Sequence, residues 1–490
     1  MKNKFYITTP LYYVNSNPHI GHSYTNIAAD ALARFHRQKG DEVYFLTGTD
    51  EHGQKIAKAA SDAGLEEKAF TDTMVSIFIE LWKSLDVSYD DFIRTTDERH
   101  ITAVKKVLTT LYQNNDIYLH TYEGWYCTPC ETFWADMQVE GNVCPDCKRE
   151  VERIREENYF FRLSKYQQWL IMYFRSHPNF IKPLPRYNEA LSFLTNNKLT
   201  DLCISRPRSR LKWGIEIPFA PSHVTYVWFD ALINYISAVG FGCDELKFKK
   251  YWPVDVHLIG KDILRQHAIY WPIMLKALGL EMPKMIFAHG WWMVGQDKMS
   301  KSRGNVVDPL KLVKEYGVDV YRYFLLREVP FGLDGNFSDE AITMRKNSDL
   351  ANDLGNLVHR TATMVEKYFS GSVPEKGALK ANALKADSDN LSNEVSKALE
   401  AVDFSQALDA IWSVINQANK FIEETKPWNL LKEGKTEDLD SFMLLLVEVI
   451  RNVSCVLVYF IPESAKNISS QFASRIIRKG IPLFPRLETK

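Results

Sequence analysis

Two short stretches combine residue types suited to phosphate chemistry. Pro18-His19-Ile20-Gly21-His22 sets two imidazoles about a glycine, and Lys298-Met299-Ser300-Lys301-Ser302 gathers two lysines and two hydroxyls ahead of Arg303-Gly304-Asn305. Imidazoles at a helix N-terminus, with Gly21 allowing close approach, suit a phosphate whose negative charge grows during reaction. The lysine stretch can clamp the β and γ phosphates of ATP as pyrophosphate departs. Taken singly, each has an ordinary alternative, a surface loop with two incidental histidines or a solvated basic loop. The chain has no G-x-x-x-x-G-K-[S/T] run, so ATP is not held by a P-loop.

A third constellation is built from sulfur. Cys127-x-x-Cys130 and Cys144-x-x-Cys147 are separated by thirteen intervening residues. Two tight turns that each offer two thiolates form a closed tetrahedral Cys₄ site, which reads as one structural zinc per chain. Catalytic zinc would need an open ligand position that this set does not leave; free thiols or disulfides are the alternatives. Cys203, Cys243 and Cys455 are scattered and read as small core hydrophobes.

The elements that must position these groups follow from hydrophobic period. Phe5 to Thr9 is β-prone, and Ile20, Tyr24, Ile27, Ala31, Leu32 and Phe35 share one helix face that Gly40 closes. Val43 to Leu46 is a short buried strand, completing a βαβ unit and hence a parallel sheet. Val254 to Ile259, a helix from Asp262 to Leu278 and Met285 to Ala288 repeat the pattern. The expected fold is α/β: one Rossmann-like parallel nucleotide-binding sheet, split by a zinc-bearing insertion and followed by an all-α helical bundle. The expected boundaries are 1–114 and 220–290 for the two catalytic halves and 115–219 for the insertion. Residues 291–340 form the lysine-loop and stem-contact region, and 341–490 the bundle. Helices are expected over 341–368, 388–402, 404–425, 437–461 and 463–474, with breaks at Pro374 and Pro427.

His19-Ile20-Gly21-His22 in the first strand-to-helix turn and Lys298 to Ser302 after the last strand, together, resemble the class I aminoacyl-tRNA synthetases. The resemblance implies that His19 and His22 stabilise the α-phosphate under attack, with Gly21, Gly260 and Asp262 also at ATP. It implies that Lys298 and Lys301 stabilise departing pyrophosphate. Pro10 to Asn15, Gly48 to Gly53, Tyr226 to Ala231 and Gly260 to Ile263 are similar to the methionyl members of that family. Through them the resemblance implies a methionine pocket of Leu11, Tyr13, Trp228, Tyr235, Ile263 and His267, with Asp50 for the substrate ammonium. Aromatic walls with few polar groups suit an uncharged, polarizable thioether. Asp50 also reads as a helix N-cap. The aromatics, with Trp228, Ala231 and Tyr235 along one helical face, also read as core. Asn356, Arg360 and Trp428 match anticodon-reading positions, against the plainer reading of a surface polar pair and a half-buried Trp. The implied partners are ATP with Mg²⁺, L-methionine, and initiator and elongator tRNA(Met), for an enzyme expected to be a monomer.

Bulk properties set limits on these readings. The formal net charge is −1 with 25% charged residues, so RNA binding must rest on a local basic face. No segment reads as a signal peptide or import sequence, and Phe442 to Ile461 is interrupted by Glu448, Arg451 and Asn452. A cytoplasmic protein without a membrane span is expected. The segment 115–219 is too short for the editing insertion of leucine, isoleucine and valine enzymes. A cysteinyl enzyme would need an open zinc, and a non-catalytic RNA-binding relative would have lost one of the two phosphate motifs.

Overall fold

A computed structural model describes residues 3–128, 132–134, 139–145, 147–295, 297–298, 307–375, 377 and 382–487. Lys301 and Cys130 lie outside the described residues, as does the rest of the stretch from Met299 to Asn305. The chain forms two compact units: Met1–Pro18, Gly40–Lys83 and Ser88–His289 make the first, and His19–Lys39, Ser84–Val87 and Gly290–Lys490 the second.

The first unit is built on a seven-stranded sheet whose pairings are all parallel. Its order is Tyr12–Tyr13, Glu42–Asp50, Lys4–Thr8, Val256–Gly260, Ile286–His289 and Ile181–Lys182, with Asp91–Arg94 also on Glu42–Asp50. Lys4–Thr8 is buried along nearly its whole length, as expected of a central parallel strand covered on both faces. Gly48 is obligatory where Asp91–Arg94 joins, because a Cβ there would lie 1.9 Å from the Ile93 carbonyl oxygen. The two-residue strand Ile181–Lys182 belongs to the segment read as insertion, yet pairs with Ile286–His289 in the sheet. The rest of that segment includes an antiparallel sheet in the order Thr132–Trp134, Ile117–Cys127, Glu152–Phe161 and Leu202–Cys203.

Two expected helices of the first unit are not continuous. Residues 261–278 form a 3₁₀ turn (Lys261–Ile263), a π segment (Gln266–Tyr270) and an α-helix (Trp271–Leu278). Pro272 explains the wide turn, since it has no N–H and its ring crowds the carbonyl one turn back. Trp228 and Tyr235 do not share one helix: Val227–Leu232 ends before Ile233, and Asn234–Ser237 starts anew. The Asn234 amide donates to the Ala231 carbonyl at 2.6 Å, replacing a helical bond with a side-chain one.

In the second unit, Trp292–Val294 lies between Asp297–Lys298 and Gly335–Phe337 in a small sheet, and helices follow. Phe404–Thr425 matches its expected span, with Asp403 capping the Gln406 N–H. The helix expected at 388 begins at Ala383, capped by Asn382. The one expected over 341–368 carries a π segment, Lys346–Gly355, between Asp339–Arg345 and Asn356–Phe369. Pro427 does not merely break a helix; it opens another, Pro427–Lys432, at the position where its missing N–H is harmless. A buried ion pair ties this unit together. The Arg322 guanidinium donates to Asp30 at 2.6 Å and to the carbonyls of Phe460 (2.9 Å) and Leu85 (3.0 Å).

Cys203 is buried as expected, whereas Cys243 and Cys455 are exposed, so the core reading fails for those two. Among the described residues no helix is long and apolar enough to cross a membrane.

Candidate active site

In the first unit, several of the sequence-derived positions converge at the carboxyl ends of the parallel strands, where α/β sheets receive ligands. Asp50 ends the strand Glu42–Asp50 and is buried, and Tyr13 is its register partner across the sheet. Asp50 is not a helix N-cap, because the next helix, Gln54–Asp62, is preceded by Gly53. The Tyr13 hydroxyl donates to the His52 carbonyl at 3.0 Å. Leu11 packs over Gly48, where a Cβ would come within 2.9 Å of its methyl group. Gly260 ends the strand Val256–Gly260, and Asp262 folds back over it so closely that a Cβ would meet the carboxylate at 2.6 Å.

Tyr235 and His267 are buried and bonded, hydroxyl to Nε2, at 2.7 Å. His267 Nδ1 lies 2.9 Å from the Ile263 carbonyl, so Nδ1 carries the proton and Nε2 accepts from Tyr235. Burial drives the His267 pKa down to about 4, and the ring is neutral at physiological pH. His257 lies beside it: Trp271 Nε1 donates to its Nε2 at 3.2 Å, and Nδ1 faces Thr8 Oγ1 at 2.6 Å. Burial also holds His257 well below the usual imidazole range. The result is an uncharged aromatic wall with its polar atoms bonded to one another. Trp228 is half-buried on Val227–Leu232, and Ile263 packs at the rim of the same apolar cluster as Tyr235.

In the second unit, the helix Ile20–Lys39 begins immediately after His19. Gly21 N–H donates to His19 Nδ1 and His19 N–H to His22 Nδ1, each at 3.1 Å. Both rings therefore accept at Nδ1 and carry the proton at Nε2, a hydrogen-bond donor to an anion. The rings stack with centroids 3.9 Å apart. A Cβ at position 21 would lie 3.0 Å from the His19 ring, so a larger residue would crowd that ring out of its stack. The first amides of the helix are occupied within the unit, Ile20 N–H by the Val307 carbonyl and Gly21 N–H by His19. Imidazoles, rather than open helix amides, are thus the groups this turn offers to a phosphate.

Comparison with known proteins gives a family model, tRNA synthetases class I (M), matching residues 5–155 and 149–362. A methionine–tRNA ligase of Caldanaerobacter subterraneus is 49% identical over 516 residues, covering 100% of this chain and 80% of its own length. One from Clostridium acetobutylicum is 49% identical over 508 residues, covering 99% of this chain and 79% of its own. The chain belongs to the methionyl-tRNA synthetase family of class I. A solved Mycobacterium tuberculosis methionyl-tRNA synthetase in complex with methionyl-adenylate is 41% identical with a TM-score of 0.95, covering 99% of this chain and 100% of that one.

The remaining positions in this synthetase sort as follows. Cys127, Cys144 and Cys147 bring their sulfurs within 4.8 Å of one another, and Cys127 and Cys147 stand 3.5 Å apart. Tetrahedral Zn–S bonds place sulfurs about 3.8 Å apart, so the three described thiols fit a zinc and not a disulfide. Lys148, left-handed at φ 60°, returns its N–H to the Cys144 carbonyl and closes the second knuckle turn. Lys298 ends the strand Asp297–Lys298. Asn356 and Arg360 lie one turn apart on Asn356–Phe369, and Arg360 pairs at 2.6 Å with Glu423 in the last turn of Phe404–Thr425. Trp428 lies just beyond that turn and is 37% exposed, which a core Trp is not.

Sequence reasoning missed a buried cluster in the first unit. Asp230 accepts from His52 Nδ1 and from His100 Nε2, each at 2.7 Å. Burial alone would raise the Asp230 pKa, but the two histidines hold it below the usual carboxylate range. The signal was present only in part: Asp230 and His52 fall in segments that carry the resemblance, while His100 falls in none.

Proposed function

We infer that the chain activates L-methionine with ATP, releasing pyrophosphate, and transfers methionine from methionyl-adenylate to the 3′-terminal ribose of tRNA(Met). The observation that carries this reading is the uncharged Tyr235–His267 wall of the first unit in a chain of this family; the Nε2–H donors of His19 and His22, in the second unit, add to it. His19 and His22 donate to α-phosphate oxygens as charge builds there, a preorganised stabilisation that is stronger in the transition state than in the ground state. Gly21, Gly260 and Asp262 border the nucleotide, and Lys298 and Lys301 receive the leaving pyrophosphate. Mg²⁺ enters with the ATP phosphates and neutralises part of their charge.

Asp50 holds the methionine ammonium, while Leu11, Tyr13, Trp228, Tyr235, Ile263 and His267 enclose the side chain. A neutral His267 supports this, because an imidazolium there would favour a charged or strongly polar ligand over a thioether. Cys127, Cys130, Cys144 and Cys147 hold one structural zinc, which supplies folding energy to the knuckle. Asn356, Arg360 and Trp428 read the anticodon of initiator and elongator tRNA by edge bonds and stacking. The boundaries 1–114, 115–219, 220–290, 291–340 and 341–490 describe the working parts, in a cytoplasmic monomer.

The test is amino-acid-dependent ATP–pyrophosphate exchange over a panel of twenty amino acids, followed by charging of purified tRNA. Methionine should stand alone in the panel. Exchange driven by leucine, isoleucine, valine or cysteine in its place would assign the pocket to another class I enzyme.

A further inference from the structure

The turn Asp50–Gly53 is held by Tyr13, Trp213 and Asp230, all within the first unit. Tyr13 donates to the His52 carbonyl from the neighbouring strand. Trp213 donates its indole N–H to the Glu51 carbonyl and sets its ring edge-on to His52, centroids 5.5 Å apart. Asp230 reaches His52 from Val227–Leu232, and the same carboxylate takes His100 from the helix Glu98–Gln113. His100 Nδ1 meets Ser237 Oγ at 2.9 Å, closing the cluster on Asn234–Ser237.

Two positions make this arrangement more than packing. Asp230 is two residues after Trp228, and His52 is two residues after Asp50. A helix of six residues cannot hold its own orientation, because so few turns do not offset the cost of nucleation. A fully buried carboxylate between two imidazoles gives no clear stability advantage over apolar residues of like volume. What it does supply is a fixed separation between two backbone segments.

We propose that Asp230 is a positioning residue: through His52 it sets the distance between the ammonium end of the methionine site at Asp50 and the side-chain wall at Trp228. The proposal rests on the assignment of Asp50 and Trp228 to methionine made above. Glu51 reinforces the turn independently, since both its oxygens are held by Arg94 at 2.6 and 2.7 Å. Loss of the Asp230 bond would therefore shift the turn without unravelling it.

The experiment compares His52→Leu, which deletes the donor to Asp230, with His52→Asn, whose amide N–H can replace it. Asp230→Asn is made as well, but the His52 pair decides the matter should that variant fold poorly. Methionine KM in pyrophosphate exchange should rise roughly ten- to a hundredfold in His52→Leu, the scale of an ångström-sized misplacement, with ATP KM unchanged. His52→Asn should recover methionine KM to within about threefold. Calorimetric methionine affinity of Asp50→Asn should be no weaker when His52→Leu is added, because residues acting through one contact are non-additive. A parallel rise in methionine and ATP KM, equal defects in the Asn and Leu variants, or additive losses in the double variant would each overturn the proposal. An Asp50→Asn protein with wild-type methionine affinity would remove the reading of Asp50 itself, and the positioning role would fall with it.

Discussion

His22 accepts a backbone N–H at Nδ1, and this one bond decides what the ring can do. With Nδ1 occupied as an acceptor, Nε2 carries the proton, and the ring can act there as a donor rather than as a base. His22→Ala should slow adenylate formation by about 10²-fold or more while leaving methionine affinity nearly unchanged, read from pyrophosphate exchange and equilibrium binding. Normal exchange in this variant would remove the role. His267 makes a second prediction at this scale. Its folded pKa of about 4 lies below the unfolded value near 6.5, so between those values only the unfolded chain takes the proton. Stability is therefore complete above about pH 6.5 and declines by about 3 kcal/mol in total as pH falls to about 4. His257, also lowered, acts in the same direction. Chemical denaturation at a series of pH values should show this slope, and His267→Gln should flatten it.

The residue scale is also where the sequence was most and least informative. Asp50, Tyr13, Tyr235 and His267 were singled out through motif resemblance, and the structure sets Tyr13 opposite Asp50 in register and bonds Tyr235 to His267. Asp230, His52 and His100 were invisible as a group. Their partners are 178 and 130 residues apart, and no local period or spacing links a carboxylate to imidazoles at such separations. The exposed Cys243 and Cys455 show the opposite error, where a general tendency of free cysteines stood in for local information.

Among the elements, those with a full amphipathic period and a capping residue were legible, as Phe404–Thr425 behind Asp403 shows. Ile181–Lys182 was not, because two residues carry no period, and only its pairing with Ile286–His289 defines it as a strand. The π segments were equally hidden: Gln266–Tyr270 and Lys346–Gly355 keep a nearly helical hydrophobic pattern while changing the bond ladder. Two predictions belong to this scale. Arg322→Ala should destabilise the second unit by about 3–5 kcal/mol, since it leaves the buried Asp30 carboxylate short of a partner. Arg34, also 2.6 Å from Asp30, limits that loss, and thermal melts of Arg322→Ala alone and with Arg34→Ala should show a larger combined effect. Cys144→Ser should lose stoichiometric zinc and weaken the knuckle, because metal binding and local folding are coupled there. Elemental analysis of wild-type protein prepared without chelators, if it found no metal, would refute the zinc assignment.

For the molecule as a whole, the question is whether tRNA reading separates from activation. Trp428 stands exposed on the short helix Pro427–Lys432, so its removal should leave the packing of the bundle core largely intact. Trp428→Ala should lower aminoacylation roughly ten- to a hundredfold, the worth of a lost stacking platform, and leave tRNA-independent exchange intact. Equal loss of both activities at unchanged melting temperature would assign Trp428 another role. Glu423→Gln should release Arg360 from its ion pair; improved tRNA affinity would follow if the guanidinium must leave Glu423 to reach RNA.

The sheet order also has a bearing on how the protein is made. Ile7 pairs with Val256, so a strand begun in the first few residues waits for a neighbour encoded nearly 250 positions later. At about 5–20 residues per second, synthesis leaves that edge of Lys4–Thr8 without its partner for roughly 12–50 s. During that interval the emerging chain displays an apolar strand whose unpaired amides and carbonyls invite association with other chains. Ribosome-stalled chains ending near residue 240 should be protease-sensitive and bound by chaperones, whereas released chains carrying both Val256–Gly260 and Ile286–His289 should resist digestion across the sheet. For a cell translating this message, the vulnerable product is a half-made polypeptide, and slowing the ribosome through its middle third should lower the yield of active enzyme.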